Sequence, residues 1–210
     1  MPDAAGPNAA TNAGQRLTQR MQTAFNLVST NMERLQEQYN KKIAPALKEK
    51  FAFKNVMQVP KVLKVIVNVG VGKVKEDKKK IDLIVEDIKK ITGQAPVKAK
   101  ARKSIAGFKV RENQVVGVNC TLRGFRMYSF LDKLVNVALP RVRDFQGISP
   151  DAFDGRGNYH LGLKEQLVFP EISSESLDNV FGLEVSVVTN AKKDAPAREL
   201  LTLMGFPFKK

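Results

Sequence analysis

One short segment of the chain concentrates positive charge, since residues 98–111 carry six Lys or Arg residues and no Asp or Glu. Gly107 and Phe108 lie near its middle, and an alternating apolar pattern typical of a strand follows it. Lys and Arg side chains neutralise phosphates, and the counterions that a nucleic acid then releases drive binding. On charge alone, a solvated loop that only keeps the chain soluble is an equally good interpretation.

Three other features only partly match sites for small ligands. The Gly-Val-Gly-Lys sequence at 70–73 is not a phosphate-binding loop, because Val67 and Val74 stand where that motif needs Gly and Ser or Thr. The segment 151–157 lacks the alternating acids and closing Glu of a calcium loop. His160 has no activated nucleophile near it in sequence, and His160 with Cys120 makes too few ligands for an ordinary zinc site. The sequence therefore predicts no enzyme, no catalytic residue, no metal site and no cofactor.

The overall charge favours an acidic partner. The 210 residues include 35 Lys and Arg against 21 Asp and Glu, a formal charge of +14. Such an excess indicates nucleic acid first and an anionic membrane second. No apolar run approaches the roughly 20 residues that a membrane-spanning helix needs, so we expect no membrane partner. The hydrophobic fraction of 43% predicts a globular chain, and the single Cys fits a reducing compartment.

The elements that hold these residues follow from composition and periodicity. Residues 1–30 are rich in Ala, Gly, Asn, Gln and Thr and predict a disordered tail. Residues 31–210 predict a single domain, from which the basic loop at 98–113 protrudes. A first helix should begin near residues 29–31 and end or bend at Pro45. Further helices are predicted at 81–91, 125–139 and from Asp194 to Met204.

Two segments alternate in the way that is typical of strands with one apolar and one polar face. In the first, the apolar face carries Leu63, Val65, Val67 and Val69, and the other carries Lys64, Ile66 and Asn68. In the second, the apolar face carries Val116, Val118, Cys120 and Leu122, and the other carries Val115, Gly117, Asn119, Thr121 and Arg123. If the strands share a sheet, one side packs on helices and the polar, cationic side faces a ligand. Two more strands are predicted at 161–169 and 183–187.

Seven separated segments together resemble the bacterial large-subunit ribosomal protein L-five family. In order along the chain they are VPKVLKVIVNVGVG, ITGQAPV, ARKSIAGFKVRE, TLRGFRMYSFLDKL, LPRVRDFQGIS, FDGRGNYHLGLKEQLVFPEI and ARELLTLMGFPF. The resemblance begins near Met32 and reaches the C-terminus. The chain departs from the family before Met32, and at Phe125, where the family more often has an acidic residue.

The resemblance implies an α+β fold, an antiparallel-dominated sheet with helices packed on one face and the other face open to RNA. It also implies a structural constituent of the ribosome, located in the cytoplasm within the large subunit. Such a protein binds 5S ribosomal RNA and helps attach it to the large-subunit RNA in the central protuberance. It contacts neighbouring large-subunit proteins, the transfer RNA in the peptidyl site, and a small-subunit head protein in an intersubunit bridge.

Position by position, the resemblance assigns three groups of residues. The ribosomal-RNA contacts are Asn68, Gly70, Gln94, Thr121, Arg123 and Gly124. The transfer-RNA loop contributes Lys100, Arg102, Lys103, Lys109 and Arg111. The intersubunit bridge is assigned to Arg141, Arg143 and Asp144. The loop contacts should be mostly to phosphates, which position a partner without reading its sequence.

Two other functions remain open at this point. One is a general RNA-binding protein or RNA chaperone that acts outside the ribosome, which gradient sedimentation would separate from a large-subunit protein. The other is an enzyme acting on a phosphorylated substrate, which has only the incomplete 70–73 motif in its favour.

Overall fold

Five strands of the described chain form one sheet, and the helices pack against it. The computed structural model describes residues 34–72, 74, 77–172 and 180–209. The strands are β1 (Val62–Gly70), β2 (Val97–Lys100), β3 (Val115–Leu122), β4 (Tyr159–Leu163) and β5 (Leu183–Thr189). Their spatial order is β2-β3-β1-β5-β4, and every neighbouring pair is antiparallel. The predicted α+β class is therefore confirmed, whereas the predicted tail and the start of the first helix lie outside the described residues.

The described residues form five α-helical segments beside the sheet. They are α1 (Arg34–Gln38), α2 (Ala44–Lys50), α3 (Lys78–Thr92), α4 (Gly124–Lys133) and α5 (Asp194–Leu203). Short 3₁₀ turns cover Val56–Gln58, Ala106–Phe108, Leu139–Arg141 and Gln166–Val168. No helix in the described ranges has the length and apolar character needed to cross a membrane.

Two π-helical turns precede prolines. Tyr39–Ile43 joins α1 to α2 just before Pro45, and Leu134–Ala138 extends α4 towards Pro140. A proline ring clashes with the carbonyl four residues earlier in a regular α-helix, and a wider turn relieves that clash. The first helical run therefore passes Pro45, whereas the second ends in the 3₁₀ turn that contains Pro140.

The core lies between one face of the sheet and the helices. Alternate residues of the central strands are almost fully buried there: Val65, Val67 and Val69 of β1, Val118, Cys120 and Leu122 of β3, and Val185 and Val187 of β5. Helical residues close the core from the other side, including Ile84, Ile88, Ile91, Leu131, Leu134, Leu200 and Leu201. Burial raises the pKa of the Cys120 thiol, which fits a small core residue.

Two details of the predicted strands are wrong. Leu63 is 43% exposed, and Val62 takes the buried place instead, because a register shift between Val62 and Lys64 changes the alternation. The strand predicted at 161–169 ends at Leu163. Beyond it the chain turns at Gln166, which forms two hydrogen bonds with Phe181. The backbone N–H of Gln166 donates to the carbonyl of Phe181 (3.1 Å), and the N–H of Phe181 donates to Oε1 of Gln166 (2.8 Å).

The Gly-rich segment 144–158 is tied to the C-terminus. The N–H of Ile148 donates to the carbonyl of Pro207, and the N–H of Lys209 donates to the carbonyl of Ile148, both at 2.9 Å. At Gly147 (φ +98°) a Cβ would lie 2.9 Å from the Lys209 nitrogen, so only glycine fits this close approach. This anchoring fixes the chain that leads into β4.

Candidate nucleic-acid interface

The face of the sheet opposite the helices carries two rows of side chains set by the strand register. Asn68 of β1 is paired with Asn119 of β3 and Glu184 of β5, and Gly162 of β4 continues that row. The next row consists of Thr121, Ile66, Ser186 and His160. We call these eight residues the open face. Neighbouring strands lie about 4.8 Å apart, so each row presents its groups at a fixed spacing.

The open face is accessible and mostly neutral. Seven of its residues are partly or fully exposed, and Ser186 alone is buried (8%). The expected cationic character holds only at the margins, where Lys64 precedes Ile66 along β1 and Arg123 comes directly after β3. The face itself contains no Lys or Arg and one carboxylate, that of Glu184. It is therefore built for hydrogen bonding more than for charge neutralisation.

Gln94 connects α3 to the end of β3. Its Nε2 donates to the carbonyl of Thr121 (3.2 Å), and its Oε1 accepts from Nη1 of Arg126 (3.5 Å). Gly124 starts α4 with φ +55°, a conformation that favours glycine. Exposed Arg123 lies between the strand and this turn. Four predicted contact residues thus meet at one corner of the sheet.

The other two predicted ribosomal-RNA residues lie further along the same pair of strands. Asn68 is one row away from Thr121, and exposed Gly70, which pairs with Gly117, is two rows away. The six predicted residues therefore lie along the paired strands β1 and β3 or at the end of this pair near Thr121. We call this line of residues the β1–β3 seam. Asn119 and Arg126 belong to the same surface, and the sequence assignment omitted both.

The basic loop is a second surface, joined to the edge strand β2. Its base is closed by two hydrogen bonds, from Ala101 N to the carbonyl of Gln114 (2.8 Å) and from Asn113 N to the carbonyl of Ala101 (2.9 Å). Nearer the tip, Ile105 and Val110 form a reciprocal pair of backbone hydrogen bonds at 2.9 and 3.2 Å. Its five predicted contact residues, Lys100, Arg102, Lys103, Lys109 and Arg111, are all exposed.

Most cations of the loop are not neutralised by the protein. Among the described residues, Lys100, Arg102, Lys103 and Arg111 form no salt bridge, whereas Lys98 at the start of the loop pairs with Asp82 at 2.5 Å. The tip also exposes Ile105 (50%) and Phe108 (74%). The loop therefore presents exposed positive charge on a two-stranded segment that is held by backbone hydrogen bonds at its base and near its tip.

The third predicted group lies at the opposite edge of the sheet. Arg141, Arg143 and Asp144 are exposed where the helical run after α4 ends. Arg143 and Asp144 border a groove of about 510 Å³ that β4 lines with Leu161 and Leu163. Because β2 and β4 are the two edges of the sheet, the three predicted groups are not brought together.

The described residues hold neither a metal cluster nor a catalytic triad. Within them, no three His, Cys, Asp or Glu residues are placed to share a metal ion. His160 Nδ1 lies 3.0 Å from Ser186 Oγ and 3.3 Å from Glu184 Oε1. A hydrolytic triad needs the two ring nitrogens on different partners, and here one nitrogen contacts both. This cluster is therefore not arranged as a triad.

Comparisons with known proteins all identify the same family. Residues 55–111 match the family model described as ribosomal protein L5, and residues 115–208 match the model described as the C-terminus of the ribosomal L5 family. The chain is similar to proteins called large ribosomal subunit protein uL5. It is 59% identical to that of Syntrophomonas wolfei over 178 residues, which is 85% of this chain and 100% of the relative. It is 57% identical to that of Rubrobacter xylanophilus over 178 residues, 85% of this chain and 99% of the relative.

Proposed function

The chain belongs to the ribosomal protein L5 family, and we propose that it binds 5S ribosomal RNA through its open face. Its relatives are structural proteins of the large ribosomal subunit, not enzymes, and this chain is assigned to that subunit and to translation with them. The observation that supports the finer proposal is the β1–β3 seam, where neutral donors and acceptors are set at strand spacing on a face that no described helix covers.

The seam suits a folded RNA with exposed base edges. Asn68, Asn119 and Thr121 each offer both donors and acceptors, as base edges and ribose hydroxyls require. Arg123 and Arg126 stand at the corner where the seam ends, and a guanidinium binds phosphate through two parallel hydrogen bonds. Polar side chains on the sheet then recognise the RNA, and the arginines at its margin hold the backbone.

The two outer surfaces complete the proposed role. The basic loop contacts the transfer RNA in the peptidyl site through phosphates, since its cations are exposed and mostly without acidic partners. At the other edge, Arg141, Arg143 and Asp144 face a small-subunit head protein, for which exposed groups of both signs are suited. Binding of 5S RNA between these surfaces helps attach it to the large-subunit RNA and its neighbouring proteins in the central protuberance.

Equilibrium binding to a 5S ribosomal RNA transcript, with an unrelated RNA of equal length as competitor, tests the proposal. We expect Asn68→Ala to weaken binding by about tenfold, the loss expected for one or two hydrogen bonds. Asn136→Ala is the matched control, because Asn136 is exposed on the helical run after α4, where its Nδ2 donates to Asp132 Oδ1 (2.8 Å). The control should bind within about twofold of the parent chain.

A folded parent chain that does not prefer 5S RNA to the competitor would contradict the proposal. Sedimentation of cell extracts gives a second outcome. Co-migration with the large subunit is expected, whereas a wholly free pool would favour the general RNA-binding or chaperone function.

A further inference from the structure

Glu184 is an unexpected residue at this position of an RNA-binding face. The register places it directly beside Asn68 in the centre of the open face, with Gly162 on its other side. Its side chain is 48% exposed, so the carboxylate reaches the surface that the proposed function covers with RNA. A carboxylate repels phosphate, so the RNA backbone is not the part that lies against it.

The local contacts of Glu184 leave hydrogen-bonding capacity unused. Ser186 Oγ donates to Oε1 at 3.4 Å, and His160 Nδ1 lies 3.3 Å from the same oxygen. Within the described part of the chain, Oε2 has no hydrogen-bond partner, and His160 is the one basic side chain within 4 Å of this carboxylate. Ser186 and His160 therefore hold one oxygen and orient the other for a ligand.

Gly162 provides the room that a planar ligand needs. Its Cα is exposed, and a Cβ built there would meet no atom within 4 Å. The neighbouring row places His160 on the same strand, two residues away. A flat ring can thus lie over the backbone of β4 with its edge towards Glu184, whereas a side chain at residue 162 would occupy that space.

The chemistry of a carboxylate selects among the nucleobases. The Watson–Crick edge of guanine presents two adjacent donors, N1–H and the N2 amino group, which a carboxylate can accept together. On the corresponding edges of adenine, cytosine and uracil, each donor has an acceptor beside it, and that acceptor repels the second carboxylate oxygen. Proteins recognise such edges where a base is unpaired and splayed out.

We propose that Glu184 accepts the N1–H and N2–H donors of an unpaired guanine of the bound RNA, over Gly162 and beside Asn68. This inference rests on the proposed function and names the base that the open face recognises. Asn68 adds a further hydrogen bond to the same nucleotide or its neighbour, and Ser186 with His160 acts only by positioning the carboxylate.

The sign of a single substitution separates this role from its alternatives. Glu184→Gln removes a negative charge, which by charge alone would strengthen RNA binding. If Glu184 accepts two hydrogen bonds from guanine, the same substitution weakens binding, by roughly 5- to 100-fold for one lost bidentate pair. Glu86→Gln is the matched control, because Glu86 is exposed on α3 in the helical layer and its loss changes the net charge equally.

The probe is a 5S ribosomal RNA transcript, titrated with the full chain and both variants at one salt concentration. Far-UV circular dichroism checks that Glu184→Gln is folded. Weaker binding by Glu184→Gln, with Glu86→Gln unchanged or slightly tighter, supports the proposal. Equal or tighter binding by Glu184→Gln overturns it, since the carboxylate would then be a spectator or a repulsive group.

Chemical footprinting gives a readout that does not depend on affinity. A glyoxal reagent modifies guanine at N1 and N2 only when that edge is free. At saturating protein, the parent chain should protect at least one guanine that Glu184→Gln leaves reactive, while the other protections persist. Identical guanine patterns for the two proteins would refute the inference even if 5S binding holds, whereas absence of binding by the parent chain would refute the proposed function itself.

Discussion

The open face and the basic loop present polar groups to a partner in opposite ways. The open face is held by strand ladders on both sides of β1, and it contains no Lys or Arg and one carboxylate, that of Glu184. The basic loop is attached to one edge strand, and its cations are exposed. Geometry is therefore fixed in the first region and charge is concentrated in the second.

This difference separates recognition from attraction. Hydrogen bonds to base edges depend on direction and distance, so they need side chains on a rigid support. Charge neutralisation of phosphates tolerates many arrangements, and long exposed Lys and Arg side chains are adequate for it. We expect the open face to decide which RNA binds, and the basic loop to add affinity that falls with salt.

We expect the largest loss of 5S RNA affinity from substitutions in the central row of the open face. Replacing both Asn68 and Asn119 with Ala removes two neighbouring groups, and we expect 5S RNA affinity to fall by between about tenfold and about 100-fold, because the effects of cross-strand partners do not simply multiply. The slope of log affinity against log salt should stay within experimental error of the parent value, because no cation is removed. Filter binding at three salt concentrations measures both quantities. A reduced slope with little change in affinity would show that the two surfaces have their roles reversed.

A smaller effect on 5S binding is expected from the basic loop. Arg102→Ala with Lys103→Ala removes two exposed cations, and 5S affinity should fall by no more than about threefold at physiological salt. Large subunits reconstituted with this variant should bind peptidyl-site transfer RNA more weakly, with a salt slope lower by roughly 0.7 to 0.9 per lost cation that contacts a phosphate. The matched control is Lys192→Ala with Lys193→Ala, which removes the same charge from a turn after β5. Equal losses in the two double variants would mean that net charge alone matters.

We expect the smallest effect on RNA affinity from a substitution on the core side of β4. Tyr159 is buried, its hydroxyl donates to the carbonyl of Ser149 (2.8 Å), and burial raises its pKa to about 12. Tyr159→Phe should lower the free energy of unfolding by about 1 kcal/mol at neutral pH. RNA affinity should change by less than about twofold, because the hydroxyl lies on the core side of the sheet.

The same substitution should change the alkaline part of the stability curve. An unfolded tyrosine has a pKa of about 10, so the folded state holds this proton more tightly. The stabilisation is present below pH 10 and is lost as the pH rises towards 12. Denaturant unfolding between pH 8 and 11.5 should show a shallower decline for Tyr159→Phe. Some decline should persist, because burial also raises the pKa of Tyr39 to about 12. An unchanged decline would contradict the assignment of this titration to Tyr159.

The sequence predicted the two faces of the central strands well. The alternation in β3 placed Cys120 and Leu122 in the core and Asn119 and Thr121 on the other side, as the structure shows. Errors arose where local geometry interrupts the period, as at Leu63, where a register shift follows Val62. The strand predicted through residue 169 was too long, because an apolar run does not reveal the turn that Gln166 makes with Phe181.

Neighbours on the open face were not predictable in the same way. Arg126 belongs to α4, and its contact with Gln94, which is 32 residues away in sequence, exists only in the folded chain. In the sequence, Glu184 is one of four acids between residues 171 and 184. Its place beside Asn68 depends on β5 pairing with β1, which no local pattern in either strand specifies.

By itself, the sequence determined which residues of the central strands face the core at most positions, since the pleat alternates with a period of two and apolar side chains are driven from water. It also carried the family resemblance. Tertiary structure alone decided the strand order and register, and with them the row that joins Asn119, Asn68, Glu184 and Gly162. The reason is that pairing between distant strands is selected by the packing of the whole core, whereas alternation is a property of each strand alone.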